Sequence, residues 1–125
     1  MPFNMNKLTK KAQEAVLSAQ ELAQNQQHSQ IEPEHLMLGL LTQADGVVPQ
    51  IFGALGANAE SVAAQFNAEQ NRMPKAYGAT AQIAVSPRFA RVLENSAQQA
   101  SNLKDEYIST EHLLLALVDN ADGAT

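Results

Sequence analysis

The segments IEPEHLMLGLLTQADG at 31–46 and ISTEHLLLALVDNADG at 108–123 are near copies, with their Glu-His pairs 77 residues apart, at 34–35 and 111–112. The match extends backward without a gap, pairing Thr9 with Ser86, Val16 with Leu93, Ala23 with Ala100, Asn25 with Asn102 and Ile31 with Ile108. Forward it pairs Leu36, Leu38, Leu40, Ala44, Asp45 and Gly46 with Leu113, Leu115, Leu117, Ala121, Asp122 and Gly123. Such a match over positions 9–46 and 86–123 marks an internal duplication, which constrains the fold more than any other feature.

Each copy opens with a capped amphipathic helix. Thr9 is an N-cap candidate, and Ala12, Ala15, Val16, Ala19, Leu22 and Ala23 follow at three- and four-residue spacings on one face. Ser86-Pro87 repeats the signal, with Pro at the first helical position, before Phe89, Val92, Leu93, Ala97, Ala100 and Leu103. A second helix carries the repeated motif, capped by Glu32 ahead of Pro33 in copy one and by Ser109 in copy two. Its leucines point in nearly every direction, the pattern of a central, buried helix, and Asp-Gly ends each run with a glycine suited to the left-handed conformation.

Between the copies, Pro49 opens a helix that ends at Gly56, and Asn58 caps another with Val62, Ala63 and Phe66 inward. MPKAYGATAQIA at 73–84 reads as a linker, and no segment reads as strand. The expected organisation is one all-α domain over 1–125: repeat one at 5–72, the linker at 73–84, and an incomplete repeat two at 85–125. Copy two lacks a counterpart of the two helices after Gly46. The chain is therefore expected to be a fragment, since its helix at 110–118 would otherwise lose cover and leave an apolar patch.

Composition narrows the function. Hydrophobic residues at 45% and charged residues at 17% exclude a disordered chain. The net charge is −5 and Lys10-Lys11 is an isolated basic pair, which argues against a nucleic-acid partner. With no cysteine there is no disulfide, thiolate nucleophile or cysteine-based zinc site. The N-terminal MPFNMNKLTKK lacks the apolar core of a secretory signal, and no apolar run reaches the roughly 20 residues of a membrane span. The expected setting is cytoplasmic, without membrane contact.

The Glu-His pairs invite a metal or acid/base reading. A zincin needs His-Glu-x-x-His, but here the order is Glu-His, and Leu38-Gly39 and Leu115-Ala116 stand where a second ligand is wanted. The inverted H-x-x-E-H order fails as well, because Ile31 and Ile108 hold its first position. The structural reading is a first-turn Glu favoured by the helix dipole with a His near the cap, and no metal is expected. His28, in the polar run QNQQHSQ, reads as a surface residue.

Several blocks together resemble the N-terminal domain of the Clp AAA+ unfoldases, which is built from two pseudo-twofold-related repeats of about four helices. MNKLTKKAQEAVLSAQELA is similar to the start of the first repeat of the ClpB-type disaggregases, and IEPEHLMLGLL to its second helix. NRMPK is similar to the segment entering the linker, and LKDEYISTEHLLLAL to the second repeat. The resemblance spans about Met5 to Gly123 and implies a parent hexamer that uses ATP and magnesium to extract aggregated polypeptides together with the DnaK system. No G-x-x-x-x-G-K-[ST] loop occurs, so no cofactor and no catalysis are expected of this domain itself. Its implied role is to recognise unfolded or aggregated polypeptides and pass them to the AAA+ domains of the same chain. The alternatives are an N-domain of the ClpA, ClpC or ClpV type, or a stand-alone module that binds an adaptor. The resemblance implies substrate handling or motor communication at Thr9, Asp105 and Glu111, which read otherwise as a cap, a solvated loop acid and a dipole partner. Leu8, Ile83, Val85 and Phe89 are candidates for an apolar groove, against the plain reading that apolar residues at helical spacing face the core.

Overall fold

Side-chain caps decide where the long helices begin. In the computed structural model, which describes residues 5–43, 46–70 and 84–119, a short 3-10 turn at Met5–Lys7 precedes α1 (Lys10–Asn25). The Thr9 hydroxyl accepts the Ala12 N–H at 3.2 Å, filling one of the open donors of the first turn of α1. There follow β1 (Gln30–Ile31), α2 (Pro33–Leu41), α3 (Val47–Ala54), α4 (Ala59–Gln70), β2 (Ala84–Val85), α5 (Pro87–Asn102) and α6 (Thr110–Asp119). Ser86 caps α5 by accepting the Phe89 N–H at 3.0 Å, as Thr9 caps α1. Asn58 caps α4 through Glu60 and Ser61. Helix α3 begins two residues before Pro49, with Gly46 as its extended N-cap (φ −81°). Gly46 is thus not left-handed, as the Asp-Gly reading had it, while Asp45, Asp122 and Gly123 lie outside the described residues.

The strands correct the expectation of none. Each is two residues long, and they pair in parallel with Gln30 opposite Ala84 and Ile31 opposite Val85. A second parallel bridge joins Leu8 to Ile108. The two contacts are copies of each other: Thr9 N–H donates to Ile108 O at 2.9 Å, and Ser86 N–H donates to Ile31 O at 3.1 Å. Each repeat therefore lends its first-helix entry to the second-helix entry of the other. Two helices start side by side at each end of the molecule, α1 with α6 and α2 with α5. The rest of the 73–84 linker lies outside the described residues.

Helix α2 is the centre of the core. Leu36, Met37, Leu38, Leu40 and Leu41 are all buried, and α1 and α4 pack against it. The approach of α1 is close because it offers Ala12, Ala15, Ala19 and Ala23, as the spacing predicts. A Cβ at Gly39 would stand 3.0 Å from the Ala15 carbonyl oxygen. Helix α5 turns Phe89, Val92, Leu93, Ser96 and Ala100 inward. Ser96 takes the inward place expected of Ala97, its hydroxyl donating to Leu93 O at 2.6 Å, and Leu103 is exposed rather than inward.

Helix α6 departs from its copy. Leu113, Ala116 and Leu117 are buried, but Leu115 and Val118 are 44% and 60% exposed, whereas their equivalents Leu38 and Leu41 are 3% and 5% exposed. Helix α4, with Phe66 buried and Val62 and Ala63 half-buried, packs on α2, and no described element stands in that relation to α6. No helix among the described residues is long and apolar enough to cross a membrane.

Candidate functional site

The residues singled out at the α1/α6 end are organised by the way α5 stops. Lys104 adopts the left-handed conformation (φ 60°), so Asp105 N–H turns back to Ala100 O at 2.9 Å. That turn sets the Asp105 carboxylate in front of α6, where it accepts the His112 Nε2–H at 2.9 Å. The tautomer follows from the other nitrogen: Ser109 N–H donates to His112 Nδ1 at 2.9 Å, so the proton of the neutral ring sits on Nε2. The Ser109 hydroxyl lies 3.0 Å from the same Nδ1. Asp105 thereby fixes the entry to α6, and through it Thr110 and Glu111. Glu111 is exposed in the first turn, accepting the Thr110 hydroxyl at 3.1 Å. Thr9 reaches the same entry through the Ile108 carbonyl. The structure thus gathers Thr9, Asp105 and Glu111 at one end of the molecule.

The other end repeats the wiring with different chemistry. Gln27 is left-handed (φ 58°), His28 N–H turns back to Ala23 O, and the His28 ring meets His35 with Nδ1 to Nε2 at 2.7 Å. Glu32 N–H donates to His35 Nδ1 at 2.8 Å, so His35 donates from Nε2 and His28 accepts. Burial, then the neighbouring His28, push the His35 pKa down to about 4. The reading of His28 as a surface residue is corrected: it is 3% exposed, drawn inside because the end of α1 aims it at α2. Glu34, also buried, is met by Arg88 from α5 at 3.2 Å, and the same guanidinium reaches Glu32 at 3.5 Å. Among the described residues no group of three or more His, Cys, Asp or Glu could hold a metal ion.

A helical domain with this end-to-end wiring can be set beside known proteins. The family model described as the Clp repeat (R) N-terminal domain matches residues 7–125. The chain belongs to this family. Among its relatives, this Clp N-domain is 34% identical over 119 residues to the chaperone protein ClpB of Clostridium tetani, covering 93% of this chain and 14% of that one. It is 36% identical over 115 residues to chaperone protein ClpB 2 of a Nostoc species, covering 92% and 13%. The chain thus spans about 14% of the length of such curated relatives. The crystal structure of the Hsp104 N-terminal domain from Candida albicans shares the fold with a TM-score of 0.84 at 22% identity, covering 91% of this chain and 75% of that one.

In this Clp N-domain the described apolar candidates differ in place and exposure. Leu8 is buried at the α1/α6 end, and Phe89 is buried under the Ser86 cap at the α2/α5 end. Val85 is exposed, and Ile83 lies outside the described residues. Apolar surface beside Asp105 comes instead from Leu103 and Tyr107, both more than half exposed, which sequence reasoning passed over. It also missed Arg88 and the pairing of His28 with His35. Both were accessible through the repeat: Arg88 matches Lys11, and His28 matches Asp105, each seven residues before the motif histidine.

Proposed function

We propose that the chain is the substrate-recognition N-terminal domain of a cytoplasmic, ATP-dependent disaggregase of the ClpB type. It binds exposed segments of unfolded or aggregated polypeptides and hands them to AAA+ domains in the same polypeptide, within a hexamer that cooperates with a DnaK system. The observation that carries this reading is the 31–36% identity to proteins named ClpB, aligned over about nine-tenths of this chain. ATP and magnesium belong to the motor, and the domain contributes binding without catalysis. Its contact surface is the α1/α6 end, where Thr9, Asp105 and Glu111 stand beside exposed Leu103 and Tyr107. Apolar side chains flanked by carboxylates suit polypeptide segments with apolar and basic residues.

The test grafts residues 1–125 onto a ClpB-type chaperone stripped of its own N-domain and measures recovery of an aggregated enzyme in the presence of the DnaK system. Recovery above the stripped chaperone, reduced by Glu111→Ala at unchanged domain melting, supports the reading. No gain over the stripped chaperone overturns it. A second reading, an N-domain of the ClpA, ClpC or ClpV type or a stand-alone adaptor-binding module, is favoured by the uncovered α6 face at Leu115 and Val118. It predicts saturable binding of one folded partner and none of unfolded chains.

A further inference from the structure

The two ends of the molecule carry the same device built from different acids. At each, a left-handed residue ends one helix, the residue two beyond the cap is pulled under it, and its side chain meets the first-turn histidine of the next helix. Proton counting separates them. The line from Glu32 N–H through His35 to His28 holds two hydrogen bonds only when His35 Nδ1 and His28 Nδ1 are both bare. A further proton on either facing nitrogen sets N–H against N–H at a contact of 2.7–2.8 Å, and a tautomer change in His35 only moves the conflict to Glu32. At the other end, a second proton on His112 gives up the Ser109 N–H bond at 2.9 Å but keeps the contact with the Asp105 carboxylate, and Ser109 Oγ at 3.0 Å is placed to accept the new N–H.

We propose that the His28–His35 pair is an acid-released latch, which frees the α1–α2 corner at residues 26–35 while the equivalent corner at 103–112 stays closed. Acid release would loosen one end of the domain without dismantling the end that carries Thr9, Asp105 and Glu111.

Among the described residues, the carboxylates at the start of α2 are already engaged: Glu32 and Glu34 share Arg88. Among the described side chains, the other ionisable ones on elements packed against α2 are Lys10, Lys11, Glu14 and Glu21 on α1, Glu60 on α4, Arg91 and Glu94 on α5, and Glu111 and Asp119 on α6. All of these are exposed, and His112 is held by Asp105. Helix α3 carries none. The lowered basicity of His35 has the same sign: the open corner takes up a proton that the closed corner refuses.

Amide hydrogen exchange of the 125-residue chain at pH 7 and pH 5, corrected for intrinsic rates, tests the latch. Residues 26–36 should lose protection by roughly 20-fold relative to 103–113, the factor for one proton taken up at an ordinary histidine in the open form. His28→Asp, which installs at this corner the pair found at the other, should remove the difference. His28→Asn, neutral at both pH values, reports whether the fold tolerates loss of the second ring. Equal change at both corners, or an unaltered difference in His28→Asp, overturns the proposal.

Discussion

Replacing Thr9 and Ser86 by alanine, one at a time, separates what a cap contributes from what its surroundings add. The two side chains do the same work, each accepting the N–H three residues on, at 3.2 and 3.0 Å. Thr9 is half-buried, so water can reach the Ala12 N–H once the hydroxyl is gone, and the loss should be that of an ordinary cap, about 1 kcal/mol. Ser86 is 1% exposed above Phe89, which is itself buried. Its removal leaves a donor with neither protein nor solvent partner, which raises the cost to about 2–3 kcal/mol. At roughly 3–6 °C per kcal/mol for a domain of this size, the midpoints should fall by about 4 °C for Thr9→Ala and about 10 °C for Ser86→Ala. Thr9→Ser keeps the oxygen and should melt within about 1 °C of the parent. Thermal and urea unfolding followed by circular dichroism at 222 nm reads all three. If Thr9→Ala cost as much as Ser86→Ala, or Thr9→Ser as much as Thr9→Ala, the cap-plus-burial reasoning would be wrong.

Other substitutions exploit the duplication in the same way. Gly39→Ala should destabilise by about 1 kcal/mol despite its gain in helix propensity, because the new methyl meets the rigid Ala15 carbonyl at 3.0 Å; Ala116→Gly, at the equivalent place, should cost about 2 kcal/mol, the propensity difference plus the loss of a buried methyl, and urea midpoints compare the two. Gln27→Gly and Lys104→Gly should each add up to about 1 kcal/mol, since both residues bear a left-handed backbone that glycine adopts freely, with the unfolded-state entropy of glycine offsetting part of the gain. The pH dependence has a definite sign. His35 is held at about 4 when folded against about 6.5 when unfolded, so its contribution is complete above pH 6.5 and is lost as the pH falls toward 4, by about 3 kcal/mol in all. Unfolding free energies measured in urea from pH 7.5 to 4.5 should decline over that window and not above it.

Much of the fold was legible because two independent signals agreed. Caps at Thr9, Ser86, Glu32 and Asn58 and the apolar faces of α1 and α2 each follow from local chemistry, and the 77-residue copy confirms the first two. What escaped was long-range or non-local in cause. The strands at Gln30–Ile31 and Ala84–Val85 are too short for any alternation of side chains to announce them, and they exist because each repeat's helix entries lie against the other's. The left-handed ends at Gln27 and Lys104 carry no glycine to mark them. His28 sits in a run of glutamines that signals solvent, and its pairing across the α1–α2 corner draws it inside. Inward Ser96 in place of Ala97 is a shift of one residue, within which a helical wheel has little power to choose.

Comparison of equivalent positions also bears on where a partner would bind. Glu34 and Glu111 share a place in the repeat, yet Glu34 is buried beside Arg88 while Glu111 is open to solvent. His28 and Asp105 share another, yet His28 is buried and Asp105 has a half-exposed carboxylate. The two ends differ in that the α2/α5 end closes its polar groups on one another while the α1/α6 end turns carboxylates outward, next to Leu103 and Tyr107. A partner that needs charge and apolar surface together finds both at the second end, and a perturbation there should alter binding at little cost to folding. Glu111→Ala and Tyr107→Ala should therefore leave the melting midpoint within about 2 °C, as surface substitutions usually do, while weakening the capture of an unfolded polypeptide. Loss of stability without loss of binding would place the working surface elsewhere on the domain.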